Sequence, residues 1–213
     1  MLEEKENEER INIMTLGNTE VGKTSFILRY SENQFQDTYL ATIGIDFKLK
    51  TMTINEKPYK IFLYDTTGQE RYKSLSVNMI KNAHGVIIMY DISNKTSFNS
   101  VGDWIKNVKD YKGEDFPMIL IGNKIDKEKQ RIISKEDGEK IGKKYNIDFI
   151  EISNKQNINV NEAGLTIVKK IIEKRGNEYN ESNRDNSVTY SLSDIVKVSN
   201  KDNRNKKCCR DKD

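Results

Sequence analysis

Residues 17–24 read Gly-Asn-Thr-Glu-Val-Gly-Lys-Thr and directly follow the apolar run 11–16. A G-x-x-x-x-G-K-T run between a strand and a helix is built to hold a nucleotide polyphosphate and its magnesium ion. Gly17 and Gly22 let the backbone turn tightly, so that successive N–H groups point inward at phosphate oxygens. Asn18, Thr19, Glu20 and Val21 fill the loop between them, and Ser25 completes the candidate nucleotide-binding run. Lys23 supplies a point charge to the β- and γ-phosphates, and the Thr24 hydroxyl is placed for Mg²⁺. The helix that starts here adds its positive dipole end.

Three more polar clusters complete this chemistry. Asp65-Thr66-Thr67-Gly68-Gln69-Glu70 follows the apolar run 61–64. An aspartate there serves Mg²⁺ opposite Thr24, Gly68 lets a backbone N–H approach the γ-phosphate, and Gln69 orients an attacking water. Asn123-Lys124-Ile125-Asp126 follows the run 118–121. The Asp126 carboxylate only accepts, which suits the N1–H and 2-amino group of guanine; adenine offers neither donor there, so this carboxylate disfavours ATP. Asn123 is expected to tie this loop to the phosphate loop, and the Lys124 stem to cover the base. Ser153-Asn154-Lys155 follows the run 149–152 and is positioned to meet the guanine O6 through a backbone N–H. In the long segment 31–44, Thr42 is placed for Mg²⁺ only when a γ-phosphate is present, and Phe35 is placed to stack on the base.

These clusters need a common edge, and the hydrophobic pattern provides one. Strands are expected at 11–16, 47–54, 59–64, 86–90, 118–121 and 149–152, and helices at 23–30, 96–109, 135–144 and 161–174. Residues 55–58, Asn-Glu-Lys-Pro, read as a hairpin turn. The alternation predicts an α/β fold: a six-stranded mixed, mostly parallel sheet flanked by helices. Ligands of open α/β sheets bind outside the carboxyl ends of the strands, which is where all four clusters fall.

Composition agrees. The 213 residues suit one domain of about 150–180 residues plus a tail. Charged residues make up 32% and the net charge is +3, too small to argue for nucleic acid. No run approaches the ~18 apolar residues of a membrane span, and the charged, mostly acidic residues 1–9 do not read as a signal peptide. The cysteines are Cys208 and Cys209, adjacent, so no disulfide scaffold is expected and a reducing compartment fits. Periodicity stops at Gly176, and 176–213 is expected to be a disordered tail.

Together these residues resemble the Ras superfamily of small GTPases and, within it, the Rab family, over about residues 10–175. The Rab-like segments are Ile43-Gly44-Ile45-Asp46-Phe47, Arg71-Tyr72-Lys73-Ser74-Leu75 and Met89-Tyr90-Asp91-Ile92-Ser93-Asn94, with Cys208-Cys209 similar to a Rab prenylation site. The resemblance implies a P-loop NTPase small G domain at 10–175, between an acidic N-terminal extension (1–9) and a hypervariable tail (176–213). It implies a Mg²⁺-dependent GTP/GDP switch in vesicle-mediated membrane traffic, slow in hydrolysis unless stimulated. Gln69 is then catalytic; Thr24, Thr42 and Asp65 serve the metal; Tyr39 joins the nucleotide-binding residues; and Ile43, Phe47, Tyr64 and Met79 face effectors. Partners would be exchange factors, GTPase-activating proteins, escort or GDI-type proteins and effectors. The implied state is a monomer without nucleic acid, held peripherally by prenyl groups on the cytoplasmic face of an endomembrane or the plasma membrane. Two prenyl groups would meet the two-signal requirement for anchoring.

The chain departs from the family at several positions. Thr67 replaces alanine beside Gln69, Glu20 puts a carboxylate in the phosphate loop, and Tyr64 stands for tryptophan. Met79 begins a segment unlike the usual one, and Asn154 replaces an alanine, with little effect expected because the contact there is made by backbone. Four residues, Arg210 to Asp213, follow Cys209. Thr67 and Glu20 motivate an alternative: a guanine-nucleotide-dependent binding module with little or no GTP hydrolysis.

Overall fold

The computed structural model describes residues 9–36, 46–66 and 79–182. Its six strands are β1 Glu9–Leu16, β2 Asp46–Ile54, β3 Lys57–Asp65, β4 Gly85–Asp91, β5 Met118–Asn123 and β6 Asp148–Ile152, in the order β2-β3-β1-β4-β5-β6. Only β2 runs antiparallel to its neighbour β3; the other pairs are parallel. The mixed, mostly parallel sheet expected from the alternation is therefore the one observed.

Period-2 alternation divides the central strands between two cores. Ile11, Ile13, Ile87, Met89, Ile119 and Ile121 point to one face, where α1 (Lys23–Glu32) contributes Phe26, Ile27 and Tyr30. Helix α5 (Val160–Ser182) covers the same face with Ala163, Ile167, Val168 and Ile171. Met14, Leu16, Val86, Ile88, Tyr90 and Leu120 point the other way, against Val101, Ile105 and Val108 of α3 (Val101–Lys112). Burial of both faces explains why β4 and β5 read as continuous apolar runs.

Three expectations are corrected. The single helix at 96–109 is two, α2 Lys95–Asn99 and α3, meeting at Ser100. The Ser100 hydroxyl donates back to the Thr96 carbonyl at 3.1 Å, a local bond that bends helices. The hairpin turn is two residues rather than four: Asn55 (φ 50°) and Glu56 (φ 64°) both adopt the left-handed conformation of a tight β-hairpin. Pro58 pairs with Thr53 of the edge strand β2, and the β1–β3 register begins one residue later, at Glu9 and Tyr59. The missing N–H of Pro58 therefore lies outside that register.

Finally, α5 runs through Gly176 to Ser182, so that 176–182 is helical rather than part of a disordered tail. One glycine lowers helix propensity by about 1 kcal/mol, and no proline follows to break the helix. Arg175 anchors this end by donating to the Arg10 carbonyl at 3.0 Å. Helix α4 is Lys135–Tyr145, capped by the Ser134 hydroxyl, which accepts from the Asp137 N–H at 3.1 Å.

His84 stitches the entry of β4 to β1. Its N–H donates to the Asn12 carbonyl at 2.8 Å, and its Nδ1 accepts from the Asn12 N–H, also at 2.8 Å. Burial, reinforced by the charges of Arg175, Lys112 and Arg10, lowers this imidazole from 6.5 to about 4. The unfolded chain thus takes up this proton at higher pH than the folded one, and the contribution to stability is complete above pH 6.5 and is lost as pH falls toward 4. In His84→Asn, whose amide oxygen can replace Nδ1 as acceptor, the drop in urea midpoint between pH 7 and pH 4.5 should be smaller than in the parent chain.

Candidate functional site

The carboxyl ends of β1, β3, β5 and β6 converge, together with the N-terminus of α1. The turn from β1 into α1 is possible only with glycine at two places. A Cβ on Gly17 would sit 2.2 Å from the Met89 carbonyl oxygen; on Gly22 it would sit 2.3 Å from Asn123 Nδ2. Both have positive φ, 138° and 98°.

Within this loop the Lys23 ammonium donates to the carbonyls of Gly17 (2.9 Å) and Asn18 (2.8 Å). Burial pushes the amine down to about 8, against the attraction of Asp65. The Asn18 side chain accepts from the Trp104 indole N–H at 3.0 Å and donates to the Ser100 hydroxyl at 3.2 Å, fastening the loop to α3. Val21 is buried; Thr19 and Glu20 are exposed, so the Glu20 carboxylate faces solvent. Its backbone nevertheless has φ 64°. Ser25 is half-buried on α1.

Across the edge, the Thr24 hydroxyl donates to the Asp65 carboxylate at 2.6 Å, with Asp65 buried. Thr66 donates to the Thr15 carbonyl (2.9 Å) and Thr15 to that of Tyr64 (3.1 Å), which holds the ends of β1 and β3 together.

The loops after β5 and β6 form one unit with the phosphate loop. Buried Asn123 donates to the Val21 carbonyl at 2.8 Å and accepts from the Asn154 N–H at 3.4 Å. Asp126 accepts from the Ser153 hydroxyl at 2.6 Å. Lys124 bridges to Asp91 at 2.8 Å. Burial alone would raise the Asp91 carboxyl, but hydrogen bonds from Lys124 and Ser93 hold it below the usual carboxylate range. The Asn154 side chain donates to the Gly22 carbonyl at 2.9 Å, contrary to the expectation that only its backbone would matter. Lys155 offers its carbonyl to Arg29 at 3.4 Å. Phe35 lies 5.5 Å beneath the Arg29 guanidinium.

Of the residues expected to face effectors, Phe47 and Tyr64 are register partners in β2 and β3, with rings 6.0 Å apart, and Phe47 is 53% exposed. Met79 packs partly buried against the second core. Tyr39, Thr42, Ile43, Gly68, Gln69, Cys208 and Cys209 lie outside the described residues. Three contributors escaped the sequence reading: Asp91, Trp104 and Arg29. Asp91 ends a strand on the same edge and was legible by that rule. Trp104 and Arg29 sit in amphipathic helices and announce nothing locally.

The Ras family model matches residues 12–173. Similar proteins include the Ras-related protein Rab-3C of Bos taurus, 43% identical over 76% of this chain and 71% of its own. The Ras-related protein Rab-8 of Diplobatis ommata is 37% identical over 89% of this chain and 90% of its own. The Ras-related protein Rab-3B of Homo sapiens is 41% identical over 76% and 74%. The chain belongs to the Ras family, as a Rab-type small GTPase. Its function is that of a nucleotide-dependent switch, and membership carries a general capacity for GTP and Mg²⁺ binding and for GTP hydrolysis.

In this Rab-type GTPase the left-handed Glu20 carries a backbone cost of about 1–2 kcal/mol that glycine would not, partly offset by glycine's greater chain entropy. Glu20→Gly should therefore raise unfolding stability by about 0.5–1 kcal/mol, read from urea unfolding at pH 7.

Proposed function

We propose that this chain binds GTP between the phosphate loop and the loops at 123–126 and 153–155, and hydrolyses it to GDP, slowly unless stimulated, as a switch in vesicle-mediated membrane traffic. The observation that carries the reading is the Asn123 side chain, which places the loop bearing Asp126 directly against the phosphate loop. A nucleotide whose phosphates lie over residues 17–24 then presents its base to Asp126, which the Ser153 hydroxyl orients. Guanine's two donors satisfy this carboxylate; adenine would leave it unpaired. Lys124, steered by Asp91, lays its stem along the base. Phe35 and the backbone of Ser153, Asn154 and Lys155 complete the base contacts, and Tyr39 joins them by resemblance.

Thr24 and Asp65 are hard oxygen donors brought within 2.6 Å of each other, a donor set that fits Mg²⁺. Among the described residues there is no group of three or more His, Cys, Asp or Glu that could hold a metal. Thr42 would join Thr24 and Asp65 in the triphosphate form. Thr24 and Asp65 would hold the ion, whose charge would offset that of the β- and γ-phosphates. Gln69 orients a water, with the Gly68 N–H on the γ-phosphate. The water oxygen bonds to the γ-phosphorus, and the bond to the bridging oxygen breaks. GDP leaves with that electron pair, and the water's protons pass to the phosphate products.

The GTPase domain, 10–175 by resemblance, is extended by Glu9 of β1 and by α5 to Ser182, and is flanked by the N-terminal extension and the tail. Cys208 and Cys209 are prenylation sites that hold the protein on a cytoplasmic membrane face, with six basic against three acidic residues in 200–213 assisting at an anionic leaflet. No helix among the described residues is long and apolar enough to cross a membrane. Exchange factors, GTPase-activating proteins, escort or GDI-type proteins and effectors act on it, the last through Ile43, Phe47, Tyr64 and Met79.

Asp126→Asn should weaken direct binding of fluorescent GTP, and of fluorescent GDP alike, about a hundredfold relative to the parent chain, because an acceptor pair is replaced by a mixed group; an unchanged GTP-over-ATP preference would refute the base assignment. Single-turnover phosphate release should be seen with the parent chain and lost in Gln69→Leu. Equal release from both, or none from the parent even with activating proteins, would instead favour a binding module. Intact mass after expression in a eukaryotic cell should show two prenyl additions, and none in Cys208→Ser/Cys209→Ser.

A further inference from the structure

We propose that the Asn154 side chain and Arg29 clamp the 153–155 loop to the two ends of α1, and that this clamp sets how long a guanine nucleotide stays bound. The inference rests on the guanine-nucleotide reading above and deepens it. Asn154 is 3% exposed, and its amide nitrogen donates to the Gly22 carbonyl at 2.9 Å. A carbonyl only accepts, so this contact fixes which end of the amide faces it. Gly22 is the residue at the N-terminus of α1, and its carbonyl also accepts the Phe26 N–H at 2.9 Å. A Cβ at Gly22 would come 3.0 Å from Asn154 Nδ2 and 2.3 Å from Asn123 Nδ2, so two side-chain amides from different strand ends close on one glycine.

The other end of α1 holds the same loop. Arg29 lies in its last turn and donates from Nε to the Asn154 carbonyl at 2.9 Å and from Nη2 to the Lys155 carbonyl at 3.4 Å. Its Nη1 donates to the Asn33 carbonyl at 3.0 Å, beyond the helix end, and its face lies over Phe35. The Asn157 amide adds a bond to Asn33 Oδ1 at 3.2 Å. One helix thus carries the phosphate loop at its N-terminus and grips the base loop at both ends. A nucleotide spanning the two loops leaves only when they part, and each bond between them must break or stretch for that to happen. Asn154 and Arg29 are positioning residues: they act through the backbone N–H that meets the base.

The test uses the full chain loaded with fluorescent GDP and Mg²⁺, chased with excess GDP. Asn154→Ala should release GDP roughly three- to tenfold faster, the effect of one net hydrogen bond. Arg29→Lys, which keeps the charge and loses the forked geometry, should also accelerate release and provides a second, independent arm. A readout specific to positioning comes from 6-thio-GDP, in which a weaker acceptor replaces O6. The penalty of that replacement should be smaller in Asn154→Ala than in the parent, because the mutant's N–H is already misplaced. Equal penalties in the two would mean that Asn154 merely packs, and would overturn the proposal. Release that is unchanged or slower in Asn154→Ala, with GDP still bound by the parent, overturns the clamp alone. Failure of the parent to bind GDP overturns the guanine reading and the clamp with it.

Discussion

A single buried hydrogen bond, from the Asn123 amide to the Val21 carbonyl at 2.8 Å, joins two loops that lie 102 residues apart in the chain. Everything else at the sheet edge is arranged around it. The bond needs β5 to deliver Asn123 level with the turn after β1, although β4 lies between those strands. It needs glycine at 22, because any side chain there would strike the same amide. It also leaves Asn123 Oδ1 free to receive the Asn154 N–H, so one side chain serves three loops. Losing it would strand two buried polar groups, a cost of about 1–3 kcal/mol each. The parallel sheet is what makes the meeting possible, since it brings the carboxyl ends of β1, β5 and β6 to one edge.

Much of this was legible before any coordinates. Apolar runs of strand length, separated by amphipathic helices, place the sheet because parallel strands buried on both faces have no polar face to show. The site residues followed from one rule, that polar groups after strand ends share an edge. What was not legible has local physical causes. Ser100 splits a helix whose apolar period is uninterrupted, through a side-chain bond that periodicity does not record. Gly176 does not stop α5, because a glycine without a following proline weakens a helix rather than ending it. Trp104 and Arg29 work by reaching across the molecule, to Asn18 and to residues 154–155, and such reach depends on tertiary placement alone.

The departures from the family sort themselves by environment. Glu20 is exposed, so a carboxylate in the phosphate loop is tolerated electrostatically; its cost lies in the backbone. Asn154 is the reverse case. Its side chain makes a bond to the phosphate loop that alanine cannot. Tyr64 lies on the outer face of the β2–β3 hairpin, its hydroxyl accepting from Arg10 at 2.8 Å. Arg10 also covers the Phe62 ring at 4.1 Å, so this face combines aromatic surface with a fixed cation.

The phosphate loop itself illustrates why the site is built rather than merely present. Lys23 has three donors, and two are held by the carbonyls of Gly17 and Asn18. Those bonds fix the ammonium over the loop and the loop around the ammonium. Asn18 is meanwhile held from outside by Trp104 and Ser100, and Val21 from inside by Asn123. A loop pinned at four points loses little conformational entropy on meeting a ligand, so more of the interaction energy appears as affinity. Burial of Lys23 works in the same direction. It strips water from the ammonium, which lowers the amine to about 8, and an anionic partner beside that poorly screened charge would favour the charged form again. Rigidity of the cradle and the long range of its ties have one origin, in the alignment of strand ends that the parallel sheet imposes.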